Sequence, residues 1–169
     1  MFERLKIKRW IATFTFIVLP LIKLSAQSKS FHFKRNNTEW IVFADSKKLG
    51  VGLPTSRINV LEERTVISSD SLIRRYLEHR FRDGELPQQG GGNCPVILDS
   101  WDDYYRQVVF YYDEEKSEDC ILFHYVHKSV IVNHPNWKER WVFISGGCSN
   151  YWMARISLKS REVFSFGIN

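Results

Sequence analysis

This 169-residue sequence contains three cysteines, Cys94, Cys120 and Cys148, whose thiols could form a disulfide or act as nucleophiles. Three is an odd number, so at most one intramolecular disulfide can form. Cys94 and Cys148 each follow a glycine-rich turn, whereas Cys120 begins an apolar run. In an oxidising compartment cysteines can pair. We therefore predict a disulfide between Cys94 and Cys148, with Cys120 as a small buried hydrophobic residue.

The same cysteine allows a second interpretation, a hydrolase with a thiol nucleophile. Gln88 lies six positions before Cys94, a spacing similar to that between the oxyanion glutamine and the nucleophile of papain-like proteases. Those enzymes place the cysteine at a helix N-terminus, which lowers the pKa of its thiol. Here the sequence after Cys94, Pro-Val-Ile-Leu, is typical of an extended segment. The alternative that stays open is a secreted cysteine hydrolase using Cys94 with a histidine, for which His124, His127 and His134 are the candidate bases.

The pair His124 and His127 suggests metal binding by its spacing. On a continuous strand, residues three positions apart point to opposite faces of the sheet. Both imidazoles could reach one ion only across a bulge, so we predict no metal site here. We find no complete catalytic constellation in the sequence. It therefore favours a protein without catalysis, and we assign no catalytic residue, metal or cofactor.

Three aromatic residues, Trp137, Tyr151 and Trp152, lie at or beside predicted turns, where a side chain is hard to bury completely. Exposed aromatic rings at loop tips can anchor a protein partner or stack on a sugar. We predict these three as binding aromatics. The alternative is that they close the ends of the hydrophobic core.

The stretch between Trp101 and Phe166 supplies the elements that must position these residues. It contains five apolar runs separated by short polar breaks. Connections this short force neighbouring strands to be antiparallel, since a parallel pair needs a crossover of about a dozen residues or more. We predict an antiparallel meander of about five strands, preceded by short N-terminal strands at Trp40–Ala44 and Val60–Ile67. The five runs are Tyr104–Tyr112, Cys120–Val132, Arg140–Ser145, Tyr151–Leu158 and Val163–Phe166.

One segment has the period of an amphipathic helix. Between Ser71 and Arg82 the apolar residues recur at a spacing of about 3.6 and form one stripe. Ser69 or Asp70 could cap the start, and Gly84 stands where a C-terminal cap would. A helix packed on a face of the meander gives an α+β fold. This plan resembles that of cystatin-like and nuclear-transport-factor-like domains, a resemblance of fold alone that implies no function.

Residues 1–26 have the pattern of a signal peptide. Four basic residues near the N-terminus precede the apolar run Ile11–Ile22, and a small residue, Ala26, follows. The run is too short to cross about 30 Å of hydrocarbon. We predict cleavage after Ala26, export to the periplasm or the extracellular space, and no stable membrane insertion afterwards. The remaining chain divides into a flexible segment, 27–37, and a single α+β domain, 38–169.

The net charge follows from this division. The leader holds five of the 24 basic residues and one of the 19 acidic residues, so the remaining chain has nineteen against eighteen and a net charge of +1. This balance does not support a nucleic-acid partner. We therefore expect a small exported binding or interaction protein without catalysis, whose partner is an unknown protein or small ligand. The alternatives are the hydrolase described above and a structural envelope component that assembles through its sheet edges.

Overall fold

The computed structural model describes residues 30–57, 62–86 and 92–168, and the predicted leader lies outside them. In this part of the chain six strands form one sheet, in the order β1-β2-β3-β4-β5-β6. Two helices accompany the sheet, α1 (Glu63–Arg82) and α2 (Lys128–Ile131). The strands are β1 (Phe31–Arg35), β2 (Thr38–Phe43), β3 (Tyr104–Asp113), β4 (Glu118–His127), β5 (Tyr151–Ser157) and β6 (Val163–Ile168).

The α+β fold with an antiparallel meander and one main helix is confirmed. Strands β3 to β6 each pair antiparallel with their neighbour in sequence, and the hairpin β1–β2 extends the same sheet. Strands β2 and β3 pair in parallel, because the chain between them passes through α1 before it returns to the sheet. Consequently β2 and β3 begin at the same end of the sheet.

The N-terminal boundary needs a correction, because β1 lies inside the range 27–37 that was predicted to be flexible. Its side chains alternate, with Phe31 and Phe33 packed against the hydrophobic core and His32 and Lys34 exposed. Alternation of this kind is the strand period, and pairing with β2 supplies the backbone hydrogen bonds. Within the strand, the exposed residues are the polar ones.

Helix α1 begins at Glu63 rather than at Ser71, which corrects the predicted strand Val60–Ile67 in its described part. Its buried residues recur every three or four positions, so the apolar stripe continues towards the N-terminus through Val66. The two predicted caps lie inside the helix and are buried. The buried residues are Val66, Ser69, Asp70, Ile73, Leu77 and Phe81.

The predicted strand Arg140–Ser145 is wrong, so the meander has four strands rather than five. Residues 128–145, which we call the cover segment, leave the sheet after His127 and pack across its second face. Trp137, Trp141 and Val142 are buried there. The fold thus has three layers, with α1 on one face of the sheet and the cover segment on the other.

A single side chain explains why this apolar run does not join the sheet. The amide nitrogen of Gln107 donates hydrogen bonds to the carbonyl oxygens of Trp137 (2.7 Å) and Arg140 (2.6 Å). Its amide oxygen accepts one from the backbone N–H of Val142 (2.9 Å). These bonds satisfy backbone groups that would otherwise need a neighbouring strand.

Candidate functional site

The cysteines have the predicted arrangement. Cys94 and Cys148 form a disulfide with their Cα atoms 6.1 Å apart, and Cys120 is free and buried. Burial raises the pKa of the Cys120 thiol to about 11, so this thiol is protonated at neutral pH. With its sulfur in the disulfide, Cys94 has no thiolate to act as a nucleophile, and Gln88 lies outside the described residues. The hydrolase interpretation therefore receives no support from this arrangement.

The two histidines point to different sides of the sheet. His124 lies on the second face, stacked on Trp141 with ring centroids 5.0 Å apart. His127 lies at the end of β4, where its ring meets the ring of Tyr104 on the first face. Among the described residues no group of three histidine, cysteine or acidic side chains is placed to hold a metal ion.

The three predicted binding aromatics are buried in the cores rather than exposed at loop tips. Trp137 stacks on Tyr105 (centroids 4.8 Å apart), and Trp152 stacks on Tyr125 (3.5 Å). The ring of Tyr151 packs over Gly147, where an added Cβ would lie 2.1 Å from a ring carbon. In these positions the rings hold the layers together, and a direct role in ligand binding stays a prediction.

A different set of residues surrounds a cleft at the end of the sheet where β2 and β3 begin. The cleft has a volume of about 370 Å³ and lies between the N-terminal half of α1 and the first residues of these two parallel strands. The end of β1 and the turn that follows it contribute Arg35 and Asn36, and the turn before β3 contributes Trp101 and Asp102. The crossover described above brings these turns together, although they are more than sixty positions apart.

The floor of the cleft is a buried ion pair. The Nε of Arg106 lies 3.1 Å from Oδ1 of Asp70, and only 1% of the arginine side chain and 10% of the aspartate side chain are exposed. The hydroxyl of Tyr125 donates to the same carboxylate oxygen at 2.9 Å. Arg106 also donates to the carbonyl oxygens of Trp101 (3.0 Å) and Tyr104. The guanidinium is therefore fixed in place, as a buried charge must be.

Aromatic rings surround this arginine. Its central carbon Cζ lies 5.3 Å from the ring centroid of Trp40 and 5.2 Å from those of Trp101 and Tyr125. Trp40 and Trp101 are also walls of the cleft. The indole N–H of Trp40 is buried and has no hydrogen-bond partner within the described part of the chain. A buried donor of this kind is uncommon, so Trp40 offers an unused donor beside the cleft.

The rim of the cleft carries three exposed arginines, Arg35, Arg74 and Arg75. Arg74 forms an ion pair with Glu78 (3.1 Å). For residues 30–57, 62–86 and 92–168, the structure gives no acidic partner to Arg35 or Arg75. Counting the floor, four arginines face two aspartates in the lining, so the cleft has an excess of positive charge that attracts anions.

Sequence reasoning missed this site for identifiable reasons. The pattern predicts Asp70 as a helix cap, because the predicted start of α1 lies eight residues after the observed one. Arg106 is the one charged residue on a side of β3 that otherwise carries Tyr104, Val108 and Phe110, and this placement is the feature of the sequence that indicates the site. A charged residue on the buried side of a strand needs a partner, and an aspartate in the apolar stripe of the helix is the natural candidate.

In comparisons with family models, curated proteins and solved structures, nothing matched this chain significantly. Within the described residues, no helix has the length and apolar character needed to cross a membrane. The interpretation of the cleft therefore rests on its own geometry.

Proposed function

We propose that this protein is a small exported binding protein without catalysis, and that its cleft binds a small organic anion through a carboxylate or phosphate group. The observation that carries the proposal is the pair of rim arginines, Arg35 and Arg75, which stand without an acidic partner among the described residues above the buried Asp70–Arg106 pair. The predicted leader and the disulfide both fit an exported protein.

The cleft is suited to binding by its size and its fixed floor. Ligand pockets typically have volumes of about 300–1,000 Å³, and a cavity of about 370 Å³ holds a small metabolite rather than a polymer. Guanidinium groups bind carboxylate and phosphate oxygens with two parallel hydrogen bonds. Arg106 already donates to Asp70 and to two carbonyls. Direct contact with the anion therefore belongs to the rim arginines, while the floor contributes shape and aromatic surface.

Binding rather than reaction is favoured by what lines the cleft. Its described lining includes neither a cysteine nor a histidine, and the hydroxyl of Ser71 donates to the carbonyl oxygen of Ile67 (3.0 Å). Nucleophilic catalysis needs a nucleophile and a base within hydrogen-bond reach of each other. Of the two aspartates in the lining, Asp70 is held on the floor by Arg106 and Tyr125.

Isothermal titration calorimetry with a panel of anions tests the proposal. Citrate, glucuronate and glycerol 3-phosphate are the probes, and glucose and glycerol are their neutral counterparts. We expect at least one anion to bind and the neutral compounds not to bind. Arg35→Ala and Arg75→Ala should each weaken binding about tenfold, which corresponds to about 1.4 kcal/mol.

The matched control is Arg82→Ala, which removes an exposed arginine of the same helix outside the cleft. It should leave the affinity unchanged, whereas added salt should weaken binding because the rim is exposed. Failure of every anion to bind, or equal binding by the Arg35→Ala variant and the unchanged protein, would contradict the proposal.

A further inference from the structure

A second groove lies on the other side of Arg75. It has a volume of about 650 Å³ and runs between the C-terminal half of α1 and the edge strand β6. Its apolar lining consists of half-buried side chains, namely Leu72, Tyr76, Val163 and Phe164. The groove is therefore wider and more apolar than the anion cleft and fits a different kind of ligand.

The two edges of the sheet are protected to different degrees. Strand β1, at one edge, carries His32, Lys34 and Arg35. Strand β6, at the other edge, has the sequence VFSFGI and carries no charge. Charged side chains on an edge strand discourage pairing with another chain, so β1 is protected in a way that β6 is not. A register shift interrupts the start of β6, but from Ser165 to Ile168 the strand is paired regularly with β5 on one side.

Basic side chains flank the apolar lining. Arg75 stands at one end of the groove and Arg161 stands beside β6, and neither has an acidic partner within the described part of the chain. Arg80, which also lines the groove, is paired with Glu85. Glu162 also lines the groove, so the lining holds three arginines and two glutamates, and the remaining excess of positive charge favours a ligand that combines apolar and acidic side chains.

We propose that β6 and this groove bind an extended acidic peptide of a partner protein by strand addition. The peptide pairs its backbone with the open side of residues 165–168, places an apolar side chain between Tyr76 and Val163, and directs a carboxylate to Arg75 or Arg161. In this mode the main-chain hydrogen bonds provide affinity, and the pockets for alternate side chains provide specificity.

Charge separates this partner from two other occupants. The chain's own residues 1–29 contain six basic residues and one acidic residue, Glu3, so they would bring positive charge to positive charge. A second copy would bring Arg161 and Glu162 together with its uncharged β6, and this pair adds no net negative charge to the groove. An acidic peptide is the occupant that complements the groove.

Amide NMR titration tests the proposal with a blocked peptide in which valine alternates with glutamate, about seven residues long, the span of one strand. We expect shifts in residues 163–168 and in the 72–80 part of α1, and a dissociation constant below about 1 mM. Arg161→Glu should weaken binding about tenfold, and the control Arg82→Glu should change it less than about twofold.

A second peptide separates strand addition from simple charge attraction. N-methylation of alternate peptide bonds removes backbone donors but leaves every side chain, so we expect it to weaken binding about tenfold. Equal binding by a lysine-for-valine or lysine-for-glutamate peptide, shifts confined to β1, or no effect of N-methylation would each overturn the proposal. Self-association of the protein that competes with the peptide at β6 would overturn it as well. Arg161 lies outside the anion cleft and Arg35 outside this groove, so failure here leaves the proposed function standing.

Discussion

Arg106 and Gln107 are neighbours on β3, and each organises one side of the sheet. Arg106 points to the helix side, where it pairs with Asp70 under a cleft that opens to solvent. Gln107 points to the other side, where it binds three backbone groups of the cover segment and accepts a hydrogen bond from His124. One side has buried charge beside an opening, and the other has neutral polar groups buried beneath the cover segment.

The polar groups on the two sides differ in what they contribute to stability. Neutral amides satisfy buried backbone groups at a modest desolvation cost, which is sufficient reason for Gln107. A buried ion pair contributes little net stability compared with apolar side chains of the same volume. The Asp70–Arg106 pair is therefore better explained by the cleft that it underlies than by stability alone.

The largest expected effect comes from breaking the charged side. Asp70→Asn keeps the shape of the side chain but leaves the Arg106 guanidinium buried without a counter-charge, and we expect a loss of about 3–5 kcal/mol in the free energy of unfolding. The double replacement Asp70→Leu with Arg106→Met should recover part of this loss, because it removes the buried charge but also the donor of two carbonyl oxygens and the acceptor of the Tyr125 hydroxyl. Urea denaturation measures both. If the double variant is no more stable than the single one, the loss was due to packing and the charge argument fails.

On the neutral side, the amide of Gln107 is the residue to change. Gln107→Met preserves the volume but leaves the carbonyls of Trp137 and Arg140 without their donor, and we expect a loss of about 2–3 kcal/mol. The effect should be local, with faster hydrogen exchange in residues 137–142 and unchanged exchange in α1. Faster exchange in α1 to the same extent would show that the two sides are not independent.

The neutral side should also respond to acid. Burial lowers the pKa of His124 to about 3 from its ordinary value of 6.5, so the folded protein keeps the imidazole uncharged. The unfolded chain binds a proton below about pH 6.5, so unfolding takes up a proton between that pH and about pH 3. As the pH is lowered through this window, the free energy of unfolding should therefore decrease by about 1.4 kcal/mol per pH unit because of this residue.

His124→Phe isolates that contribution from the carboxylates, which also titrate in this range. The phenyl ring can still stack on Trp141, and we expect the variant's stability to depend less steeply on pH between about 6 and 4. The measurement is the free energy of unfolding at several pH values for both proteins. Parallel curves would show that the folded protein does not exclude a proton from this ring.

The same two residues show how far the sequence could predict the fold. The alternation in YYRQVVFYY places Arg106 and Gln107 on opposite sides of a strand, and the structure confirms a strand there. What each residue binds could not be predicted from local pattern. Gln107 contacts backbone some thirty positions later, and an apolar run such as RWVFIS fits a strand equally well until that contact is known.

Predicting the candidate site required the correct first residue of α1. Asp70 reads as a cap when the helix starts at Ser71 and as a buried partner when it starts at Glu63. Only the second reading places its carboxylate against β3. The disulfide could be predicted because two glycine-rich turns leave their cysteines free to approach, whereas the free Cys120 lies within a strand.

The smallest expected effect on stability comes from Arg35 on the rim of the cleft. Arg35 is exposed and has no acidic partner among the described residues, so Arg35→Ala should change the free energy of unfolding by no more than about 0.5 kcal/mol. Its removal also reduces the repulsion among the rim arginines, which favours a change towards greater stability. Urea denaturation at low salt measures this difference, with Arg82→Ala as the control. A rim residue that is dispensable for stability but needed for anion binding would separate the two roles of the helix side, whereas a loss of more than about 1 kcal/mol would make Arg35 part of the fold.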